Sequence, residues 1–221
     1  MDAPTYPKIQ SIFKRDPDTN YKTFLREYTT REFEYLKDND WVWTEKVDGM
    51  NIRVHWTGRF IEFAGRSDRA QIPKRLLAKL EEMFTPGLLN RSYDGRPMTF
   101  YGEGYGAGIQ GGGKYNPDGV DFILFDIKIA DWWLLREDMV AIADTLDIES
   151  VPIVGHGSLR YATMCMYSGV LSRVAKSSIP MEGLVLRPDV PLYDRRGERI
   201  ITKVKYKDYA LWREKDGRPG I

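Results

Sequence analysis

The sequence predicts an α+β fold of largely antiparallel sheets flanked by helices. Three observations predict it. Strand-type segments outnumber helical ones. They do not alternate regularly with helices, as a parallel βαβ sheet requires. Two of them are joined by a short turn: in MNIRVHW, Met50, Ile52, Val54 and Trp56 alternate with Asn51, Arg53 and His55 at period two, and Thr57-Gly58 leads into RFIEFAG as a hairpin.

The remaining elements follow in order. The first 40 residues are polar and aromatic, a surface segment ending in a short helix at TTREFEYLKDN. WVWTEK is a strand before the hairpin. Pro73 opens the helix KRLLAKLEEMF, whose Leu76, Leu77, Leu80, Met83 and Phe84 form one face. The strand MTFYGE runs into a glycine-rich loop, and DFILFDIKI and WWLL read as paired strands. REDMVAIADTL is helical, and a further helix lies within LRYATMCMYSGVLSRVA. EGLVLRP and RIITKVKY are strands, followed by a charged tail. Without internal repeats, residues 1–221 are expected to form a single domain.

Composition narrows the function classes. A net charge of +1 does not announce a nucleic-acid partner, which a local patch would have to grip. Cys165 is the only cysteine, so an internal disulfide and a cysteine metal cluster are excluded. It lies in the mixed apolar run YATMCMY and reads as a core residue; that usage suits a reducing cytosol. No stretch reaches the ~20 apolar residues of a membrane span, and MDAPTYPKIQ lacks a signal peptide's apolar core.

The stretch YGEGYGAGIQGGGKY mimics two phosphate loops. Gly106, Gly108 and Gly111 satisfy G-x-G-x-x-G, but the chain continues into turn sequence where a helix must open. Gly108, Gly113 and Lys114 fit G-x-x-x-x-G-K, but Tyr115 follows where Ser or Thr must hold magnesium. The glycines instead predict a loop close to a ligand, with side chains removed where the ligand must approach the backbone.

The chemistry rests on lysine. A nucleophilic lysine must be neutral to attack, and burial or neighbouring cations favour that form. Phosphoryl-type transfer also needs cations, and carboxylates for a metal. Those parts occur in separate strand-like segments: Lys46-Val47-Asp48-Gly49, Glu103 after MTFY, Phe125-Asp126 in FILFD, Glu182-Gly183, and Lys203 and Lys205 in TKVKY. Lys203 and Lys205 alternate, so they share a sheet face. Singly, each reads as an ordinary surface charge or core aromatic. Their order and spacing together say more.

The ordered series KVDG, GRS, YGEG, FILFD, EGLVLRP and KVKYK resembles the covalent nucleotidyltransferases, which include ATP-dependent ligases and mRNA capping enzymes. The resemblance runs from about residue 46 to 207. Asn51, five residues beyond the lysine, and the glycine-rich loop after the glutamate make it most similar to RNA ligases of the phage T4 RNA ligase 2 type. The resemblance implies a nucleotidyltransferase, ATP-grasp-like fold.

The resemblance also implies roles. Lys46 would attack the α-phosphate of ATP and hold AMP. Glu45 would lie beside the adenine, and Phe125 would stack on it with support from Asp126. Arg66 and Glu103 would contact the ribose. Asn51 would position the phosphate and the nucleic-acid end. Arg187, Lys203 and Lys205 would contact phosphate, and the two lysines give a physical reason for a neutral Lys46. Glu182 would help bind the metal, Mg2+ with Mn2+ as the alternative, which suits an oxygen-rich, histidine-poor inventory. His55 and His156 read as surface or structural.

The implied reaction joins RNA 3′-OH and 5′-phosphate ends, nicked or single-stranded, in a monomeric cytoplasmic enzyme, as in a phage-infected host. Other readings are a nicked-DNA ligase, a capping-type enzyme, or an inactive nucleotide- or RNA-binding relative. Sixteen residues follow Lys205, too few for the C-terminal OB domain of DNA ligases and capping enzymes, so a bare catalytic domain is expected. The tail YKDYALWREKDGR reads either as a frayed charged terminus or as cations and aromatics for nucleic-acid contact. The opening YPKIQSIFKRD has the same mixture and is expected to flank the active-site groove.

Overall fold

The computed structural model describes residues 4–215. Its strands in chain order are β1 (Gln10–Ser11), β2 (Phe13–Arg15), β3 (Phe24–Tyr28), β4 (Trp41–Lys46), β5 (Met50–Trp56), β6 (Ile61–Gly65), β7 (Met98–Gly106), β8 (Val120–Ile129), β9 (Trp132–Trp133), β10 (Ile153–Gly157), β11 (Gly183–Pro188) and β12 (Thr202–Lys205). The helices are α1 (Arg31–Tyr35), α2 (Lys74–Met83), α3 (Pro86–Tyr93), α4 (Arg136–Thr145), α5 (Leu159–Ser168) and α6 (Ala210–Lys215). The chain divides into two compact units. The first comprises residues up to Pro7 and Val47–Val151; the second comprises Lys8–Lys46 and the chain from Pro152 onward.

The first unit is built on a sheet of order β6-β5-β7-β8-β9, antiparallel throughout. Period-two alternation decides its faces. Ile52, Val54, Trp56, Phe100, Phe122 and Leu124 point into one core, covered by Leu76 and Leu80 of α2 and Met139 and Ala143 of α4. The other face carries Asn51 and Arg53 of β5, opposite Glu103 and Tyr101 of β7. Pro73 opens α2 as its N-cap, and Thr57-Gly58 turns the hairpin, with Gly58 at φ +90°. Sequence reading gave no helix at α3; Thr85 caps it with a side-chain bond to the Leu88 N–H, and Pro86 takes its first turn.

The second unit is a sheet of order β1-β12-β11-β4-β10, antiparallel except for the parallel pair β1–β12. A two-stranded ribbon, β2–β3, accompanies it. Its own core joins Trp41, Trp43, Leu184, Leu186 and Val204 to Leu159, Ala162 and Met166 of α5. The first 40 residues are more than surface: Ile12, Phe24 and Phe33 are buried in this core. The charged tail is also more than a frayed end. Tyr209 and Arg213 are buried, and the Arg213 guanidinium donates to the carbonyls of Met166, Tyr167 and Tyr206. The last residues of that tail, from 216 on, lie outside the described residues. Cys165 is half-buried against the same core. No helix among the described residues is long and apolar enough to cross a membrane.

Candidate active site

Strand register assembles the charged part of the site in the second unit. Gly183 stands opposite Lys46 on one side and Lys205 on the other. Residues directly opposite in antiparallel strands share a face. Lys46, Lys205, Lys203 (opposite Val185) and Arg187 (two further along β11) therefore occupy one face of the sheet. Gly183 permits the close approach of β12: a Cβ there would stand 2.1 Å from the Val204 carbonyl oxygen.

Glu182 lies just before β11 and reaches both lysines. Its Oε2 accepts from Lys46 Nζ at 2.5 Å and its Oε1 from Lys205 Nζ at 2.5 Å. Burial pushes the Glu182 carboxyl upward, but the charges and hydrogen bonds of Lys46 and Lys205 outweigh it and hold the group below its ordinary value. The two lysines thus share one anion rather than simply repelling each other.

Glu45 is not brought to this face. It is paired with Leu184, so its side chain points to the opposite side from Lys46. Its carboxylate is 1% exposed and accepts from the Ser172 hydroxyl and, at 2.8 Å, from the Arg173 backbone N–H. Burial pushes this carboxyl up, opposed by those hydrogen bonds. Ser172 also accepts from the N–H groups of Val174 and Ala175, so Glu45 anchors a turn. Nothing in the sequence singles out Ser172.

The first unit holds the other expected residues on the face turned away from its core. Asn51 and Glu103 are cross-strand partners. The Asn51 Oδ1 atom is buried and, among the described residues, has no hydrogen-bond partner. Register shifts between Tyr101 and Gly102, which pair with Asp126 and Leu124, so Phe125 is the extra residue of a β-bulge. Bulges re-aim side chains, and here Phe125 and Asp126 both meet Tyr6. The Tyr6 ring stands edge-on to Phe125 with centroids 5.0 Å apart, and its hydroxyl donates to Asp126 Oδ2 at 2.8 Å. Tyr6 belongs to the opening segment expected near the site, but sequence reading gave it no role.

Arg66 is exposed in the loop after β6. That loop is held from the strand face: the buried Arg53 donates from Nε to the Gly65 carbonyl at 3.0 Å and from Nη2 to Asp68 at 2.5 Å. Arg53 stood on the polar side of the β5 alternation, and nothing in the sequence marks its burial.

Neither phosphate-loop mimic has its helix; Gly112–Lys114 is a single 3-10 turn. What approaches the glycines is the motif segment itself. A Cβ on Gly111 would meet the Asp48 carboxylate at 1.9 Å, and one on Gly49 would meet the Gly104 carbonyl oxygen at 2.3 Å. The glycine-rich loop thus wraps Asp48-Gly49.

No group of three or more metal-ligating side chains occurs among the described residues. Glu182 is a single carboxylate between two ammonium groups, so an all-protein cage does not fit. A magnesium-type ion, which keeps several waters and binds through one or two carboxylates plus substrate phosphates, does.

Comparison with known proteins agrees with this architecture. The RNA ligase family model matches residues 39–205. No curated protein matches. Among solved structures, a Naegleria gruberi RNA ligase with PPi is 18% identical at a TM-score of 0.63, covering 96% of this chain and 60% of that one. A mutant of that ligase with ATP and Mn is 19% identical at a TM-score of 0.62, with 96% and 59% coverage, and another with AMP and Mn is 19% identical at 0.63, with 96% and 59% coverage. At these identities the likeness shows the fold alone, antiparallel sheets with helices. The chain spans about 60% of the length of the ligases it matches. The family match covers most of the chain and contains every element of the lysine–glutamate cluster: the chain belongs to the RNA ligase family.

Proposed function

We propose that this protein is an ATP-dependent RNA ligase working through a lysyl-AMP intermediate. The observation that carries the reading is Glu182 bridging Lys46 and Lys205 at the adjoining ends of β4, β11 and β12, inside the family-matched segment. Support also comes from the matched ligases, whose structures hold PPi, ATP and Mn, or AMP and Mn.

Lys46 is the nucleophile. Lys46 Nζ donates to Glu182 Oε2, which is placed to take its proton as Nζ attacks the α-phosphorus of ATP. A P–N bond then forms, the bond to the β-phosphate oxygen breaks, and pyrophosphate departs. Lys203, Lys205 and Arg187, on the same sheet face, offset the charge that develops on the phosphate. A divalent ion, magnesium or manganese, would supply Lewis-acid stabilisation of phosphate oxygens beside Glu182. Phe125 stacks on the adenine, with Asp126 supporting that region through Tyr6. Glu103 and Arg66 contact the ribose. Asn51 meets a donor from the nucleotide or the nucleic-acid end, which would satisfy its orphaned oxygen. Glu45 contributes by anchoring the Ser172 turn. AMP then passes to an RNA 5′-phosphate, and a 3′-OH displaces it to seal the strand.

The test is incubation with labelled ATP, GTP or NAD, followed by denaturation. ATP is expected to leave a covalent label that Lys46→Ala abolishes. No label from ATP, or equal label on Lys46→Ala, would sink the reading. Joining assays on nicked and single-stranded RNA and on nicked DNA then identify the acceptor.

A further inference from the structure

An open groove of about 710 Å³ lies within the second unit, lined by seven cationic side chains and one carboxylate. Its floor is β1 and β12, stitched together by the Ile12 N–H bond to the Lys203 carbonyl at 3.1 Å and the Thr202 hydroxyl bond to the Gln10 carbonyl at 3.0 Å. Lys203 and Lys205 rise from that floor, so the groove begins where the lysine–glutamate cluster ends. One wall is the β2–β3 ribbon and its connecting turn.

Besides Lys203, the cations divide into two groups of three. Arg15 is held by Asp208 through two 2.8 Å bonds, Lys14 by Glu27 at 2.8 Å, and Lys205 by Glu182. Lys8, Lys22 and Lys207 are exposed and have no ion-pair partner among the described residues. These three lysines therefore bring positive charge to the groove beyond what its carboxylates pair.

The turn adds an aromatic. Tyr21 lines the groove and is 63% exposed, in a left-handed conformation at φ +61° that follows Asn20 at φ +53°. A bulky residue at positive φ is uncommon and strained, and such strain concentrates at functional sites. The fold here holds a tyrosine ring in solvent at a backbone cost, beside three uncompensated lysines. Cations tracking a backbone, with an aromatic platform for bases, is the chemistry of single-stranded nucleic-acid binding.

We infer that this groove holds one single strand of RNA by its phosphates and stacks a base on Tyr21, leading the strand's end toward the Lys46–Glu182–Lys205 cluster. The destination of that end rests on the ligase reading; the binding itself does not.

The experiment titrates the full chain with a labelled single-stranded oligoribonucleotide, without ATP, across a range of salt concentrations. Each phosphate contact contributes roughly 0.7 to the slope of log affinity against log salt. Replacing Lys8, Lys22 and Lys207 together by alanine is expected to weaken binding and flatten that slope by about 2; arginine at the same positions restores it. Tyr21→Ala is expected to weaken binding on the order of tenfold, with Tyr21→Phe near wild type. An unchanged slope in the alanine variant, no recovery with arginine, or equal binding by Tyr21→Ala and Tyr21→Phe would overturn the inference. Absence of an ATP label on the wild-type chain sinks the ligase reading alone, because the titration uses no ATP.

Discussion

Two glutamates of the second unit occupy opposite environments. Glu182 stands between two ammonium groups and is held below its ordinary value. Glu45, one residue before the candidate nucleophile, is more deeply buried, meets a hydroxyl and a backbone N–H, and is pushed up. Both are hydrogen-bonded, so satisfaction alone does not separate them. What separates them is the strength of the compensation: two ammonium groups outweigh burial at Glu182, whereas burial outweighs the donors at Glu45. The face carrying Lys46 is built from charges that answer one another; the other face uses neutral donors to fix a turn. A buried acid among cations is poised for ionic chemistry, whereas a buried acid among neutral donors acts as an anchor.

The strongest way to break this contrast is Glu182→Gln. The variant keeps the shape but leaves Lys46 and Lys205 without their shared anion. Covalent labelling from ATP is expected to fall on the order of tenfold or more, and stability by about 2 kcal/mol, the scale of a charged hydrogen bond. The pH dependence follows from the depressed carboxyl. Its stabilisation is present above the unfolded value near 4.5 and is lost as pH falls through the lower folded value. Urea unfolding across the acid range reads this as a slope that Glu182→Gln lacks. Equal acid sensitivity in both proteins would show that the ion-paired geometry contributes no linkage.

The two regions also differ in how far the sequence revealed them. The order of KVDG, EGLVLRP and KVKYK placed Lys46, Glu182 and Lys205 in one set, and strand register explains why they meet. Period two likewise identified β5, and helical spacing identified α2 and α4. The sequence was silent where a tertiary neighbour decides. Strand β10 carries no strand signal of its own, with two glycines in IVGHG; yet a Cβ on Gly155 would sit 2.7 Å from the Trp43 ring, so the glycine serves packing. Strands β1 to β3 are two to five residues long and take their identity from their partners. Ser172 lies 127 residues from the acid it meets, and Tyr6 lies 120 from Asp126; no local pattern encodes either.

Glu45→Gln sharpens the contrast with a smaller effect of opposite sign. A raised carboxyl contributes stability that is fully present below its unfolded value and lost as pH rises through the folded one. Wild-type stability is therefore expected to decline through that interval relative to Glu45→Gln, with the two proteins within about 1 kcal/mol of each other at neutral pH. The smallest effect belongs to Ser172→Ala. It removes one donor that lowers the Glu45 carboxyl, so the declining limb moves to higher pH, at a cost of about 1 kcal/mol. ATP labelling of Lys46 separates an anchor from a participant. A full label with a shifted pH limb keeps the Glu45 face structural. A label that falls with the Ser172 hydroxyl would mean that the turn itself shapes the nucleotide site, and the division between the two faces of β4 would no longer hold.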